Sequence, residues 1–237
     1  MISEKEIRNL FKKRSSYGLD VAVRNLIKEL SIYNQHVSGL KVWKKSSRHF
    51  KTKRIQIGGG SHYLQGFLNI DISQPADLIC DVREGIPLID QCSDYIFSEH
   101  FLEHLDYPRS TKKIINECFR ILRSGGDIVI GVPDSNLVLE GYANKDRLLY
   151  SKMVKKWYKN RDCLEHFNVY IDLINYHFRD QIDNERYTPH YWAYDFEKLE
   201  SLLSSVGFIN VRRWQFDKKI ANPKREWATL YVIAEKP

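Results

Sequence analysis

Two apolar runs, each closed by residues that can hold a ligand, form the segment of this chain with the clearest chemistry. The first run ends in Gly58, Gly59 and Gly60, and the second ends in Asp71. Glycines lack a Cβ, so the backbone can turn sharply there and approach a ligand closely. A carboxylate at the tip of the neighbouring strand can accept hydrogen bonds from the two hydroxyls of a ribose. The spacing therefore predicts a site for a nucleotide-type ligand.

The short interval between the glycines and the acid restricts the kind of ligand. Between Gly58 and Phe67 there is too little chain for a helical crossover, which needs about ten to twelve residues. Asp71 also comes sooner than the roughly 20 residues expected of a dinucleotide fingerprint. A pyrophosphate is bound at the N-terminus of such a helix. The segment therefore predicts a loop or single turn, bent at Gly66, and a ligand without phosphates.

The elements that must position these residues alternate between strands and helices. Short apolar runs predict strands at 54–57, 67–70, 77–80, 95–98 and 127–132, with a helix over 106–122 that ends at Ser124-Gly125-Gly126. A capped helix is predicted over 195–206, followed by antiparallel strands at 208–216 and 227–234, because no helix separates those two. This alternation predicts an α/β fold with a mostly parallel sheet.

The flanking segments predict helical additions to that sheet. Helical spacing covers 3–31 with a break near Gly18 and Asp20, and the polar residues 32–53 predict a basic linker. An insertion over 136–190 has helical stretches near 145–159 and 164–178 and is a candidate lid or acceptor-binding element. We therefore expect an N-terminal helical cap over 1–52 and a main domain over 53–237 that contains the insertion.

The composition fits a globular protein and indicates its compartment and the charge of its partners. The chain has 237 residues, of which 43% are hydrophobic and 28% charged, and no apolar run is long enough for a transmembrane segment. The charged N-terminus lacks the apolar stretch of a signal peptide. Four cysteines without regular spacing predict free thiols in a reducing cytoplasm. The net charge of +7 favours an anionic partner and leaves peripheral membrane contact open.

Further motifs accompany the glycine segment in a fixed order. Asp81-Val82 follows the third strand, Ser98-Glu99-His100-Phe-Leu-Glu-His follows the fourth, and 121–133 surrounds the fifth. Together with the glycine loop, this order resembles the class I S-adenosylmethionine-dependent methyltransferases, in the branch with a shortened first crossover. The resemblance covers residues 53–133 and resumes over 190–208. It implies a Rossmann-like, mostly parallel seven-stranded sheet with an antiparallel C-terminal hairpin.

The resemblance implies S-adenosylmethionine as the cofactor. Its contacts would come from the carboxyl ends of the first four strands, where open α/β sheets bind ligands. The glycines would pass under the methionine, Asp71 would bind the ribose, Asp81 would accept from the adenine amine, and the residues after the fourth strand would line the cofactor. The full predicted set is Gly58, Gly59, Gly60, Asp71, Ile72, Asp81, Val82, Ser98, Glu99 and His100.

Histidine is the usual general base near neutral pH for a hydroxyl acceptor. The candidates are His100, His104, His177 and His190. His100 is nearest to the methyl position that the resemblance implies, and His190 precedes the last helix and could close over the acceptor. His100 and His190 are therefore the predicted catalytic residues. Glu103 and His104 are expected to point back into the fold as a structural pair.

A competing interpretation comes from the same segment. His100, Glu103 and His104 satisfy the H-x-x-E-H pattern of a class of zinc peptidases, and histidines four apart on a helix can bind zinc. That chemistry needs a long helix and a third ligand, whereas Pro108 interrupts any helix soon after the motif. We therefore expect no metal here.

The acceptor is the least determined part of the prediction. The aromatic residues of the insertion could stack on sugars, bases or flat metabolites, or form a core of their own. The element at 190–195 resembles one found in methyltransferases of glycan or polysaccharide modification, which favours O-methylation of a sugar or glycan precursor by analogy. An RNA methyltransferase using the basic segment 41–54 is less favoured, since no aromatic RNA-binding module accompanies it. A protein that binds S-adenosylmethionine without turnover is the other alternative.

Overall fold

The computed structural model describes residues 4–11, 16–45, 53–158, 169–179 and 189–237. The strands are β1 Arg54–Ile57, β2 Leu68–Asp71, β3 Leu78–Ile79, β4 Ser93–Glu99, β5 Leu122–Pro133, β6 Ile209–Arg213 and β7 Thr229–Glu235. The helices are α1 Glu4–Phe11, α2 Tyr17–Lys45, α3 Arg109–Ile121, α4 Ser135–Ala143, α5 Arg147–Met153, α6 Tyr170–Arg179 and α7 Phe196–Val206. Among these described helices, none combines the length and apolarity that crossing a bilayer requires.

The strands form a seven-stranded sheet in the order β3-β2-β1-β4-β5-β7-β6. Strands β1 to β5 are parallel, whereas β7 runs antiparallel to both β5 and β6. This arrangement confirms the predicted mostly parallel sheet with an antiparallel C-terminal hairpin. Because β1 lies between β2 and β4, the residues that follow these three strands meet at one edge of the sheet.

The central strands are buried on both faces, as expected when a parallel sheet is covered on each side. Ile96 of β4 and Ile128 of β5 pack into the larger core with the apolar faces of α3 and α7. Their neighbours Phe97 and Val129 point to the opposite face and pack with Trp214 and other aromatic residues that follow β6. This two-sided burial fixes the strand ends that carry the predicted site.

The first crossover is short, as predicted. Between Ile57 and Leu68 the chain forms turns and no helix, and Gly66 has a φ of +80°. The Asn69 side chain holds this loop, since its Oδ1 accepts from the Leu64 N–H at 2.9 Å and its Nδ2 donates to the Leu64 carbonyl at 3.0 Å. The glycine segment is therefore anchored directly to β2.

Three predicted helix boundaries are wrong. The predicted linker over 32–53 is helical as far as Lys45, and Gly18 and Asp20 lie in the first turn of α2 rather than at a break. At the other helix, α3 ends at Ile121, and Ser124-Gly125-Gly126 belongs to β5 instead of forming a C-cap. Gly125, with a φ of +72°, donates its N–H to the Lys236 carbonyl at 2.7 Å, so the glycines pair with the end of the chain.

The insertion is helical but differs in detail from its prediction. Helix α4 was not predicted, and Asp134, directly after β5, forms its N-cap through hydrogen bonds from the N–H groups of Asn136 and Leu137. Helix α5 continues as a π-helical turn over 154–158. The part of the second predicted helix over 164–168 lies outside the described residues. The predicted β6 and β7 are shorter than expected, ending at Arg213 and beginning at Thr229.

Helix α2 packs closely against β3 at Gly39. A Cβ built on Gly39 would lie only 2.0 Å from the Ile79 carbonyl oxygen, so no larger residue fits without a shift of the helix. Beside this contact, Nδ1 of His36 accepts from the Asp81 N–H at 3.1 Å. Glu29 pairs with Arg83 at 2.8 Å. Helix α2 therefore supports the loop that follows β3, and the proposed boundary near residue 52 separates segments that are in contact.

Substituting Gly39 by Ala is expected to lower the melting temperature by about 5–10 °C, because overpacking of this size costs about 1–3 kcal/mol. Alanine favours helices over glycine by up to about 1 kcal/mol, and we expect the steric cost to exceed that gain. Gly18→Ala in the same helix is the matched control, since a Cβ there meets nothing within 4 Å. Thermal unfolding that ranks the two variants as equally stable would contradict the close packing.

Candidate active site

The glycine loop and Asp71 form one hydrogen-bonded unit at the tips of β1 and β2. Gly58 and Gly60 have φ values of +68° and +55°, which favour glycine. The Gly60 N–H donates to Oδ2 of Asp71 at 2.9 Å. Oδ1 of Asp71 accepts from the N–H and the hydroxyl of Ser73 at 2.9 and 3.0 Å. The carboxylate is therefore held in place while its side chain stays half-buried.

The two sides of this loop differ in the space they leave. A Cβ on Gly58 would lie 2.3 Å from the Phe101 ring, so that side is filled by protein. A Cβ on Gly60 would meet no atom within 4 Å, so that side is open. An open cradle of backbone beside a fixed carboxylate fits a nucleoside group with a ribose diol. The residues present thus fit S-adenosylmethionine.

The predicted adenine residues follow β3 as expected, but Asp81 is already engaged within the chain. Its carboxylate accepts from the Arg83 N–H at 3.0 Å and pairs with the Arg83 guanidinium at 2.8 Å. Its own N–H donates to His36. Val82 is buried at the start of a short 3₁₀ turn, and Ile72 is half-exposed after β2. A hydrogen bond from Asp81 to an adenine remains a prediction.

Ser98 and Glu99 at the end of β4 are both buried. Tyr231 donates its hydroxyl to Oε1 of Glu99, and the Asn222 N–H donates to the same oxygen at 3.2 Å. Arg225 donates to the Glu99 carbonyl at 2.9 Å. Burial, followed by the hydrogen bond to Glu99, raises the pKa of Tyr231, so the phenol stays protonated and donates. A contact of Glu99 with the cofactor remains a prediction.

His100 lies directly at the carboxyl end of β4, in a conformation that is unusual for a non-glycine residue. Its φ is +51°, and its N–H donates to the Gly131 carbonyl at 2.8 Å. Nε2 is 2.8 Å from Oγ1 of Thr229, and Nδ1 is 3.4 Å from Oε1 of Glu103. About a fifth of the side chain, 21%, is exposed. Burial, with a smaller effect of Arg225, lowers the pKa of His100 well below its usual range.

Glu103, His104 and His190 converge beside His100. Glu103 is 1% exposed, and neither of its carboxylate oxygens has a hydrogen-bond donor. Nε2 of His104 lies 3.9 Å from Oε1 of Glu103, and the rings of His104 and His190 are 5.0 Å apart. Burial raises the pKa of Glu103 to about 8. His190 therefore lies beside the expected pair of Glu103 and His104. Residues 102–104 form a 3₁₀ turn rather than a long helix.

The segment that carries His190 crosses the ends of β4 and β5. The Tyr191 N–H donates to the Glu103 carbonyl at 2.7 Å, and Tyr194 forms a β-bridge with Asp134. Nδ1 of His190 lies 2.6 Å from the carbonyl oxygen of His177 on α6. Burial lowers the pKa of His177 to about 3, and its Nε2 is 3.1 Å from the Ser135 hydroxyl. The described part of the insertion is thus in direct contact with the segment that crosses the carboxyl ends of β4 and β5.

The structure places the predicted site residues of β1, β2 and β4 together and brings His190 to the same edge. Sequence reasoning missed Phe101 against Gly58 and Thr229 against His100. Neither has a spacing signal, because each contact depends on the packing of distant segments. The described part of the insertion has a small core of its own, in which Met153 packs with Val138 and Trp227. The side chains of Trp157, Tyr158, Phe167 and Tyr176 lie outside the described part.

Known proteins are similar to this chain in several ways. A family model described as a methyltransferase domain matches residues 59–130. A Methanocaldococcus jannaschii protein described as uncharacterized is 29% identical over 148 residues, which are 56% of this chain and 65% of that protein, less than two thirds of its length. A methyltransferase structure from Methanosarcina mazei is 17% identical, with a TM-score of 0.47 and coverage of 77% of this chain and 91% of that one. One from Thermotoga maritima is 15% identical, with a TM-score of 0.45 and coverage of 90% and 98%.

The family match covers the residues on which the sequence argument depends, from Gly59 through Asp71 and Asp81 to the strand at 122–130. The seven-stranded sheet and its antiparallel β7 are those that the resemblance implied. The chain is therefore similar to a methyltransferase domain over residues 59–130, and its sheet is the mostly parallel one that the sequence predicted.

Proposed function

We propose that this protein is an S-adenosylmethionine-dependent methyltransferase that methylates an oxygen of a sugar or glycan precursor in the cytoplasm, as a step of polysaccharide biosynthesis. The observation that carries the proposal is the position of His100. Its imidazole lies at the carboxyl end of β4, next to β1 with its glycine loop, and beside the segment that carries His190. A base at this position suits a hydroxyl acceptor, which must lose its proton during the transfer.

Each part of the site has a separate task in this proposal. Bound S-adenosylmethionine supplies a methyl group on a sulfonium centre. The backbone of Gly58 to Gly60 and the carboxylate of Asp71 hold the donor, and His100 takes the acceptor proton while Thr229 orients its ring. The wall that Phe101 forms against Gly58 excludes water from one side of the loop. Alignment in a dry cavity is the main contribution that a protein makes to an in-line transfer.

The aromatic residues next to His190 support a sugar acceptor. Trp192 stacks on Tyr107 with ring centroids 4.6 Å apart, and it remains 39% exposed. Tyr191 is 56% exposed. Exposed aromatic faces beside a catalytic edge suit a ligand that has both apolar and hydroxyl faces. By contrast, Lys41, Lys44 and Lys45 of the basic segment lie on α2, which packs on β3 at the edge of the sheet.

The test begins with the donor and continues to the acceptor. Saturating S-adenosylhomocysteine should stabilise the protein by about 2.7 kcal/mol at a concentration 100 times its Kd, whereas NADH should not. Methyl-labelled S-adenosylmethionine with a panel of sugars and nucleotide sugars should then yield a labelled product. His100→Ala should keep the thermal shift and lose at least about tenfold in transfer rate. Stabilisation without turnover on the panel would favour a binding protein, and an RNA product would favour the RNA alternative.

A further inference from the structure

We propose that Glu103, His104 and His190 bind a divalent transition-metal ion on the acceptor side of the active site. This differs from the expectation drawn from the sequence, which lacked a third ligand for the H-x-x-E-H segment. His190 supplies that ligand from 86 residues further along the chain, while His100 instead contacts Thr229.

The ligand atoms are already close to a coordination sphere. One atom from each of the three residues lies within 4.8 Å of the other two. Around a tetrahedral zinc ion with bonds of about 2.0–2.2 Å, neighbouring ligand atoms are about 3.4 Å apart. A small inward movement of the side chains would therefore complete the site. The 3.9 Å between Nε2 of His104 and Oε1 of Glu103 is longer than a hydrogen bond and lies within reach of a shared ion.

The orientation of His190 fits metal binding. Its Nδ1 lies 2.6 Å from the His177 carbonyl, which can only accept, so Nδ1 carries the proton and donates. This fixes the tautomer in which Nε2 keeps its lone pair. Metal-binding histidines commonly donate their other ring N–H to a backbone carbonyl in this way.

The environment of Glu103 also calls for a cation. A carboxylate that is 1% exposed and receives no hydrogen bond from another residue is costly to bury. Ring nitrogens of His100 and His104 lie 3.4 and 3.9 Å from its Oε1. An ion bound between the carboxylate and two imidazoles would satisfy the oxygens that the chain leaves without donors.

The ligand set indicates which metals fit. Two imidazoles and one carboxylate are typical of Zn²⁺, Fe²⁺, Co²⁺ and Mn²⁺ sites, whereas Mg²⁺ and Ca²⁺ prefer oxygen ligands. Three protein ligands leave a position open for an exogenous oxygen. The Tyr191 hydrogen bond to Glu103 places this position under the segment that would face the acceptor. An acceptor hydroxyl as fourth ligand rests on the proposed function, whereas metal binding itself does not.

The experiment measures metal binding directly. Tag-free protein stripped with EDTA is titrated with Zn²⁺ in a calorimeter, and Co²⁺ is added separately to record its visible absorption. The intact chain should bind about one ion, and the Co²⁺ spectrum should show a protein-bound band. His190→Ala and Glu103→Gln should weaken Zn²⁺ binding at least tenfold and abolish the band. His62→Gln, which changes a histidine outside the cluster, should leave both unchanged.

Separate readouts distinguish this proposal from the proposed function. Circular dichroism establishes that each variant is folded. Glu103→Gln is used instead of Glu103→Ala because it keeps the size and shape of the buried side chain. The thermal shift with S-adenosylhomocysteine should persist in stripped protein, since the glycine loop and Asp71 that hold the donor are not metal ligands. Absence of Zn²⁺ and Co²⁺ binding, or binding that survives both His190→Ala and Glu103→Gln, would overturn the metal site and leave the methyltransferase proposal intact.

Discussion

Asp71→Ala is expected to weaken S-adenosylhomocysteine binding about 100-fold. A hydrogen bond to a charged acceptor contributes about 1.5–3 kcal/mol, and a ribose diol offers two donors to the same carboxylate. The existing contacts of Asp71 with Gly60 and Ser73 hold the carboxylate in position before the ligand arrives. Isothermal titration with S-adenosylhomocysteine would measure the loss. It should be accompanied by only a small change in the stability of the ligand-free protein, because Asp71 lies in a half-exposed loop.

A control separates the ribose contact from the support of the loop. Ser73→Ala removes one hydroxyl donor to Asp71 but keeps the carboxylate and its bond from Gly60. We expect its affinity for S-adenosylhomocysteine to stay within a fewfold of the wild type. Equal losses in Ser73→Ala and Asp71→Ala would indicate that loop geometry, rather than the ribose contact, determines binding. Full affinity in Asp71→Ala would remove Asp71 from the donor site.

Local patterns predicted the parallel part of the sheet well. The strand at 54–57 has the bounds that the sequence predicted, and the crossover to β2 lacks a helix. Both follow from short-range rules, since apolar runs of this length suit buried strands and a chain this short cannot form a crossover helix. The capped helix predicted over 195–206 is confirmed for the same reason, with Asp195 as its N-cap and a left-handed Gly207 after it. Sequence patterns that depend only on neighbouring residues therefore predict these elements correctly.

The failures concern segments whose structure depends on distant partners. Residues 32–45 look like a polar linker, yet they form a helix because Gly39 and His36 fit against β3 and its loop. The glycines at 125 and 126 look like a helix end, yet they pair with Lys236 at the other end of the chain. The meeting of His104 and His190 likewise depends on a segment 86 residues away. The local spacing of apolar and polar residues cannot predict contacts between segments so far apart in the sequence.

Glu99 shows how such a contact changes the meaning of a motif residue. The resemblance assigns it to the cofactor, but its carboxylate is 2% exposed and is bound by the Tyr231 hydroxyl and the Asn222 N–H. It therefore ties β4 to β7 and to the connection that precedes β7. Because β4 ends at the catalytic edge, these bonds also fix the backbone from which His100 projects.

We accordingly expect Glu99→Ala to lower the free energy of unfolding by about 3 kcal/mol. The change leaves two buried donors unsatisfied, and each such group costs about 1–3 kcal/mol. For a chain of this size the melting temperature should fall by about 6–12 °C. Tyr231→Phe, which removes one of the donors and keeps the carboxylate, should cost about 1 kcal/mol. Thermal unfolding of the ligand-free variants is the measurement, because it separates a structural role from a cofactor contact.

A cofactor role and a structural role of Glu99 predict different melting behaviour. If Glu99 acts mainly on the cofactor, ligand-free Glu99→Ala should melt like the wild type and lose its response to S-adenosylhomocysteine. If it acts as the structure indicates, the melting temperature should fall while the remaining folded protein still responds. A double variant of Glu99→Ala and Tyr231→Phe supplies the deciding comparison. Because the two side chains share one hydrogen bond, the double variant should lose less stability than the sum of the losses in the two single variants.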